Sequence, residues 1–213
     1  MNDFMRRLRS PSSVVSLILA VLLLSGFGYY QMQLKMISFD GISLEFIPAG
    51  DIDLETVERI ASETAQSYGM MYRISERIDL PQDAYIDEKV QYDISLILAG
   101  LRKSPSAPNT KRIMITDADV TTTGYNFLFG LADLYGNSSV MSTHRLMPKT
   151  VKSGNPNEMF FDHCIKIAIH ELGHTFGFSH CEDNTCVMCF SNSALELDFT
   201  DREFCDKCRS RIR

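Results

Sequence analysis

Three features of this 213-residue chain point to an α+β fold, a mixed β-sheet packed by helices. Short runs with period-two alternation take turns with amphipathic segments of helical period; two strand-like runs then follow one another directly; and a long, almost wholly apolar helix comes after them. Hydrophobic residues make up 45% of the chain and charged residues 23%, which excludes a disordered or collagen-like polypeptide.

The first element is a hydrophobic helix. Residues 10–34 carry no charge, and Val14–Tyr30 is nearly continuous hydrophobe behind Arg6, Arg7 and Arg9. Its helical length is about 26 Å, against ~30 Å for a hydrocarbon core. Tyr29 and Tyr30 suit a membrane interface and there is no clean Ala-x-Ala, which favours a retained single-pass signal anchor over residues 1–34. Gly26 and Gly28 keep open a signal peptide cleaved after Gly28. Either reading places the domain over residues 35–213 on the extracytoplasmic side, membrane-bound in the first case and secreted or periplasmic in the second.

Strands and helices then alternate. Ile42, Leu44 and Phe46 alternate with Ser43 and Glu45 as a half-buried strand that Pro48 ends. Asp53 suits the N-cap of a helix with Leu54, Val57, Ile60, Ala61, Ala65 and Tyr68 on one stripe, stopped by Gly69. Tyr72, Ile74, Ile78 and Leu80 form a second alternation that runs into Pro81. Val90, Ile94, Ile97, Leu98 and Leu101, at offsets of 4, 7, 8 and 11, predict an amphipathic helix. After the turn-rich Ser104–Thr110, Arg112–Thr116 reads as a short buried strand. Asn126–Leu131 reads as another, and Ser138–Thr143 as its partner across the turn Tyr135-Gly136-Asn137.

The helix expected over Asn157–Phe178 is apolar around most of its circumference, so its polar groups need a reason. His170 and His174 are four apart, which stacks both imidazoles on one face within reach of a single cation. Glu171 stands beside the first, placed to take a proton from water on that cation rather than to bind it. Gly177 can adopt the left-handed conformation that ends the helix, and His180 supplies a third nitrogen. Three neutral histidines leave a fourth position open for water, the pattern of a catalytic zinc site. His144 and His163 are not needed as ligands, and Cys164 reads as a buried small hydrophobe.

Five of the six cysteines lie between Cys181 and Cys208, too localised for a disulfide framework and suggestive of metal. By spacing alone, Cys186-x-x-Cys189 with Cys205-x-x-Cys208 is a zinc-ribbon pattern. The run from His170 through His174 and Gly177 to His180 carries the extended histidine motif of metzincins, and Met188 falls where that clan places a methionine turn. Continued by Cys181, Cys186, Met188 and the distal Cys205-Asp206-Lys207-Cys208, the chain resembles the archaemetzincin family. Ile115–Asp119, Phe127–Ala132 and Ser142–Leu146 are similar to that family's segments ahead of the active-site helix, and the resemblance spans Ile37–Cys208.

The resemblance implies a zincin-like mixed sheet with a backing helix and an active-site helix, and a zinc-dependent metallopeptidase that hydrolyses peptides or proteins. It implies two Zn2+ per chain. The catalytic one falls to His170, His174 and His180; the structural one falls to Cys181, Cys186, Cys205 and Cys208, in a small C-terminal subdomain over residues 181–213. The ribbon spacing keeps Cys189 as the alternative to Cys181. Glu171 would be the catalytic base, and Asn126–Leu131 or Ser138–Thr143 would offer an edge along which an extended peptide lies.

An alternative function is a zinc-stabilised peptide-binding or scaffold protein at the membrane with little catalysis. Glu171, which adds nothing to metal binding, favours the enzyme. Nucleic acid is disfavoured as a partner: the net charge is −6, the first thirty residues hold three arginines against one aspartate, and the remainder is therefore at −8. The sequence leaves the oligomeric state open.

Overall fold

In the computed structural model, which describes residues 37–149 and 154–212, the strand pattern decides which side of the sheet each core residue joins. β1 (Ser43–Ala49) is buried along all but its first residue, with Leu44 and Phe46 on one face and Ile47 and Ala49 on the other. Asp53 caps α1 (Leu54–Tyr68), its Oδ2 accepting from the Thr56 N–H at 2.8 Å, and Gly69 closes the helix. β2 (Tyr72–Ile74) returns parallel to β1. Pro48 lies inside β1 and does not end it. It sits beyond the reach of β2, where its carbonyl accepts from the Ile78 N–H at 3.0 Å and its missing N–H leaves no ladder bond unmade.

β3 (Tyr85–Ile86) and β4 (Gln91–Asp93) pair antiparallel. Asp93 then caps α2 (Ile94–Lys103), which begins later than the apolar period suggests: Val90 is exposed with φ 54°, and Asp93 Oδ1 accepts from the Ser95 N–H. A polar cap outweighs one apolar residue in setting a helix start. β5 (Thr110–Thr116) runs parallel to β1 over its full length, and β6 (Val120–Thr121) joins β4 to complete a small second sheet. Of the strand expected over Asn126–Leu131, only its end is strand: β7 (Gly130–Ala132) pairs antiparallel with β8 (Ser138–Ser142), itself parallel to β5. α3 (Pro156–Phe176) is capped by Asn155, and α4 (Ala194–Leu197) and α5 (Asp206–Arg209) are single turns near the end of the chain.

The main sheet has the order β2-β1-β5-β8-β7, four parallel strands with one antiparallel edge. The chain steps from β1 to β2 in one direction and from β2 past β1 to β5 in the other, so right-handed crossovers put α1 and α2 on opposite faces. α2 buries Ile94, Ile97 and Leu98 against Ile47, Met114 and Val140. On the other face α1 and α3 pack together, pinned where the Tyr68 hydroxyl donates to the Ile169 carbonyl at 2.7 Å. Arg112, 1% exposed inside β5, donates to the carbonyls of Leu101 and Pro105 and so satisfies the C-terminal end of α2. Residues Ser38–Ile212, the cysteine-rich stretch included, form one compact unit.

No helix among the described residues is long and apolar enough to cross a membrane. α3 has 21 residues, but Asp162, His163, Lys166, His170, Glu171 and His174 mark it as a helix of the protein interior. The expected single-pass or exported location is corrected on that ground, and the apolar run of residues 1–34 on which it rested lies outside the described residues.

Candidate active site

The site forms where α3 stops. Gly177 adopts φ 98°, a Cβ there would run into the Tyr135 ring, and the turn carries the chain back toward His180. Lys111, reaching from β5, donates to the carbonyls of Thr175 (2.8 Å) and Gly136 (2.5 Å), which fixes the helix end to the sheet.

His170 Nδ1 lies 2.8 Å from the Val187 carbonyl oxygen, and His174 Nδ1 lies 2.7 Å from that of Phe178. A carbonyl only accepts, so each Nδ1 carries the proton and each Nε2 is a bare lone pair. The two Nε2 atoms face each other at 3.0 Å, an arrangement that repels unless a cation joins it. The ligand nitrogens of His170, His174 and His180 all lie within 4.8 Å of one another. Tetrahedral zinc with Zn–N of ~2.0–2.1 Å spaces its nitrogens about 3.3 Å apart, and this donor set fits it. Burial, helped by the neighbouring imidazoles, pushes His170 down to about 3 and also lowers His174 and His180. All three are thereby held in the neutral form that binds metal.

Glu171 is buried, and burial pushes its carboxyl up from 4.5 to about 8. Its seat is made by a glycine that the sequence reading passed over. A Cβ on Gly130, in the edge strand β7, would come within 2.5 Å of Cγ, Cδ and Oε1 of Glu171. The available signal was a glycine inside a strand pattern, which often marks a close approach. Gly173 has a like role: a Cβ there would meet Met188 Sδ at 2.5 Å, so the motif's glycine lets Met188 pack against the helix beneath the histidines. Gly130→Ala is expected to lower kcat/KM by about 10²-fold with zinc content unchanged, because the displaced carboxylate misses its geometry. Steady-state kinetics with zinc counted per chain checks this, and a rate within threefold of the parent contradicts it.

The sulfurs of Cys181, Cys186, Cys205 and Cys208 lie within 4.8 Å of one another, with Cys181 and Cys205 3.7 Å apart. Zinc with Zn–S of ~2.3 Å spaces tetrahedral sulfurs about 3.8 Å apart, so this set also fits. The Cys189 thiol turns instead to Asn184 Oδ1 (3.8 Å) and the Phe190 carbonyl (3.6 Å). Cys164 is buried in the core, and burial raises its thiol pKa well above the ordinary value. His144 and His163 stand apart from the histidine cluster: His144 Nδ1 meets the Asp117 carbonyl, and His163 joins Leu146 to Asp198.

A cleft of about 660 Å³ opens over the histidines and Glu171, walled on one side by β7. Phe129 and Asp133 turn their backbone groups inward to β8, so by strand alternation Gly130 and Ala132 turn theirs to the open edge.

Three neutral histidines drawn together where a buried helix ends, a buried carboxylate in the same cleft and an open strand edge along it point to a class, the zinc metallopeptidases. Comparison with known proteins gives the family within it. The model of Peptidase family M54 matches residues 44–213, and the chain belongs to that family. It is 33% identical over 168 residues to the archaemetzincin of Methanocaldococcus jannaschii, covering 78% of this chain and 90% of that protein. The crystal structure of archaemetzincin from Archaeoglobus fulgidus, complexed with malonate, is similar with a TM-score of 0.69 at 31% identity, over 80% of this chain and 100% of that one. The archaemetzincin of Methanopyrus kandleri gives the same TM-score and identity over 79% and 92%. The chain is therefore a zinc metallopeptidase with the mixed sheet-and-helix fold of archaemetzincins. The Archaeoglobus fold is matched whole by 80% of this chain, with no membrane-spanning helix among the described residues, a second ground for correcting the expected location.

Proposed function

We propose that His170, His174 and His180 hold the catalytic zinc of this peptidase and that Glu171 is its general base. The observation that carries the reading is the pair of bare Nε2 atoms 3.0 Å apart with Glu171 buried beside them. A zinc held by these three residues would supply a Lewis acid for a scissile carbonyl and make water acidic enough to react near neutral pH. Glu171 takes the proton of the attacking water on a carboxylate oxygen and returns it to the leaving amine. Gly130 and Ala132 bind an extended peptide by adding it antiparallel to β7, which lays the scissile bond against Glu171. Met188, packed on Gly173, is the methionine turn that supports the histidines from below.

A second, structural zinc is held by Cys181, Cys186, Cys205 and Cys208, and it pins residues 181–213 as a small C-terminal subdomain. The sulfur spacing supports this set over the one that contains Cys189. Elemental analysis of the full chain is expected to give two zinc per chain together with cleavage of a peptide library. One zinc, or two without cleavage, contradicts the reading.

Because burial lowers the proton affinity of the three imidazoles, protons compete for them only at a lower pH than for an exposed histidine. The catalytic zinc is expected to stay bound well below pH 6.5. Dialysis of the full chain at stepped pH, with zinc counted at each step, checks this; release of one equivalent with a midpoint at or above 6.5 contradicts it.

A further inference from the structure

A second cavity, of about 420 Å³, adjoins the catalytic cleft and shares Phe127 and Phe129 with it. Much of its lining is apolar, and Met147 and Leu195 are exposed there. Two cations, Arg145 and Lys149, join that lining in a chain whose net charge is −6. Arg145 stacks over the Phe127 ring at 4.7 Å and is clamped by Asp119, which accepts from its Nε and Nη2 and leaves Nη1 without an acceptor among the described residues. Lys149 lines the same cavity and makes no ion pair among the described residues. The carboxylate in the lining, Asp198, is already taken: it faces His163 Nε2 at 2.8 Å, while His163 Nδ1 faces the Leu146 carbonyl at 2.8 Å.

We propose that this cavity is a subsite for a carboxylate carried by the substrate about three residues beyond the scissile bond on its C-terminal side. The inference rests on the strand-addition reading of the cleft. A peptide antiparallel to β7 runs from Ala132 toward Phe129, so its C-terminal half enters the second cavity. Phe129 and Phe127, which line both cavities, precede Gly130 by one and three residues, so a peptide running past Gly130 at ~3.3 Å per residue reaches the second cavity within about three residues. Arg145 and Lys149 supply the charge-assisted donors, and the phenylalanines, Met147 and Leu195 cover the aliphatic part of the same residue. The carboxylate comes either from a free C-terminus at that position or from an Asp or Glu side chain.

The test uses the zinc-loaded full chain and peptides cleaved at one bond. One pair carries Glu or Gln at the third residue beyond that bond with an amidated end further on; the other pair ends at that residue as acid or amide. A kcat/KM advantage of about tenfold for the carboxylate member is expected in at least one pair, shrinking as ionic strength rises. An advantage in the Glu/Gln pair assigns a side chain, and one confined to the acid/amide pair assigns the C-terminus. The charge reversal Lys149→Glu, at an exposed position, is expected to bring the ratio to one or below. Equal cleavage of both members of both pairs overturns the subsite while leaving the peptidase reading intact. Cleavage of none of the four overturns the assignment of the catalytic cleft, and the subsite with it.

Discussion

Glu171→Gln is expected to lower kcat by at least about 10³-fold while both zinc equivalents stay bound and KM changes little. The substitution keeps the shape that packs against Gly130, so the loss reads out the missing base and not a collapsed seat. Stability of the metal-free chain separates the effect from misfolding. There the carboxyl pKa is raised to about 8 from 4.5, so between these values the folded chain holds a proton that the unfolded chain has lost. Stability therefore falls as pH rises through that window. A neutral amide carries no such penalty, and the variant is expected to melt no lower than the parent at pH 8. Retention of more than a tenth of the parental kcat would show that Glu171 is not the base.

Part of this site is legible in the sequence and part is not. Spacing along one element is readable: His170 and His174 four apart on a helix, Asp53 ahead of an apolar stripe, and Gly177 at a helix end all act through their own neighbours in the chain. What depends on a partner far along the chain is not. Gly130 is small because Glu171, forty-one positions on, occupies the space of its Cβ, and Gly173 is small because Met188 does the same. Phe127 and Phe129 alternate like a strand, yet their rings meet at 5.4 Å as a wall shared by two cavities. The second sheet is built from strands of two or three residues, too short to carry a period. Arg112 stands in a buried strand because carbonyls at the end of α2 receive it, a fact that no pattern within residues 110–116 contains.

Cys208→Ser is expected to remove one zinc equivalent and lower the melting temperature by about 10 °C or more, whereas Cys189→Ser keeps two equivalents and melts as the parent does. The segment after His180 has two single-turn helices and little else of regular structure, so its order rests on a few anchors. Phe204 stacks on Phe178 at 4.7 Å, Arg202 pairs with Glu63 and Asp162, and the four sulfurs close the rest. Its order matters to catalysis. The Val187 carbonyl, one residue past Cys186, fixes the Nδ1 proton of His170, and Cys181 directly follows His180. Releasing the sulfurs therefore frees two of the three imidazoles from their settings. Loss of a partner that orients a metal-bound histidine typically costs 10–100-fold, so Cys208→Ser is expected to lose activity by about that factor even when zinc is resupplied in excess. The cysteine that follows the third histidine is the sharper discriminator. If Cys181→Ser keeps both zinc equivalents while Cys189→Ser loses one, the ribbon set holds the metal, and the link from the structural zinc to His180 is broken with it.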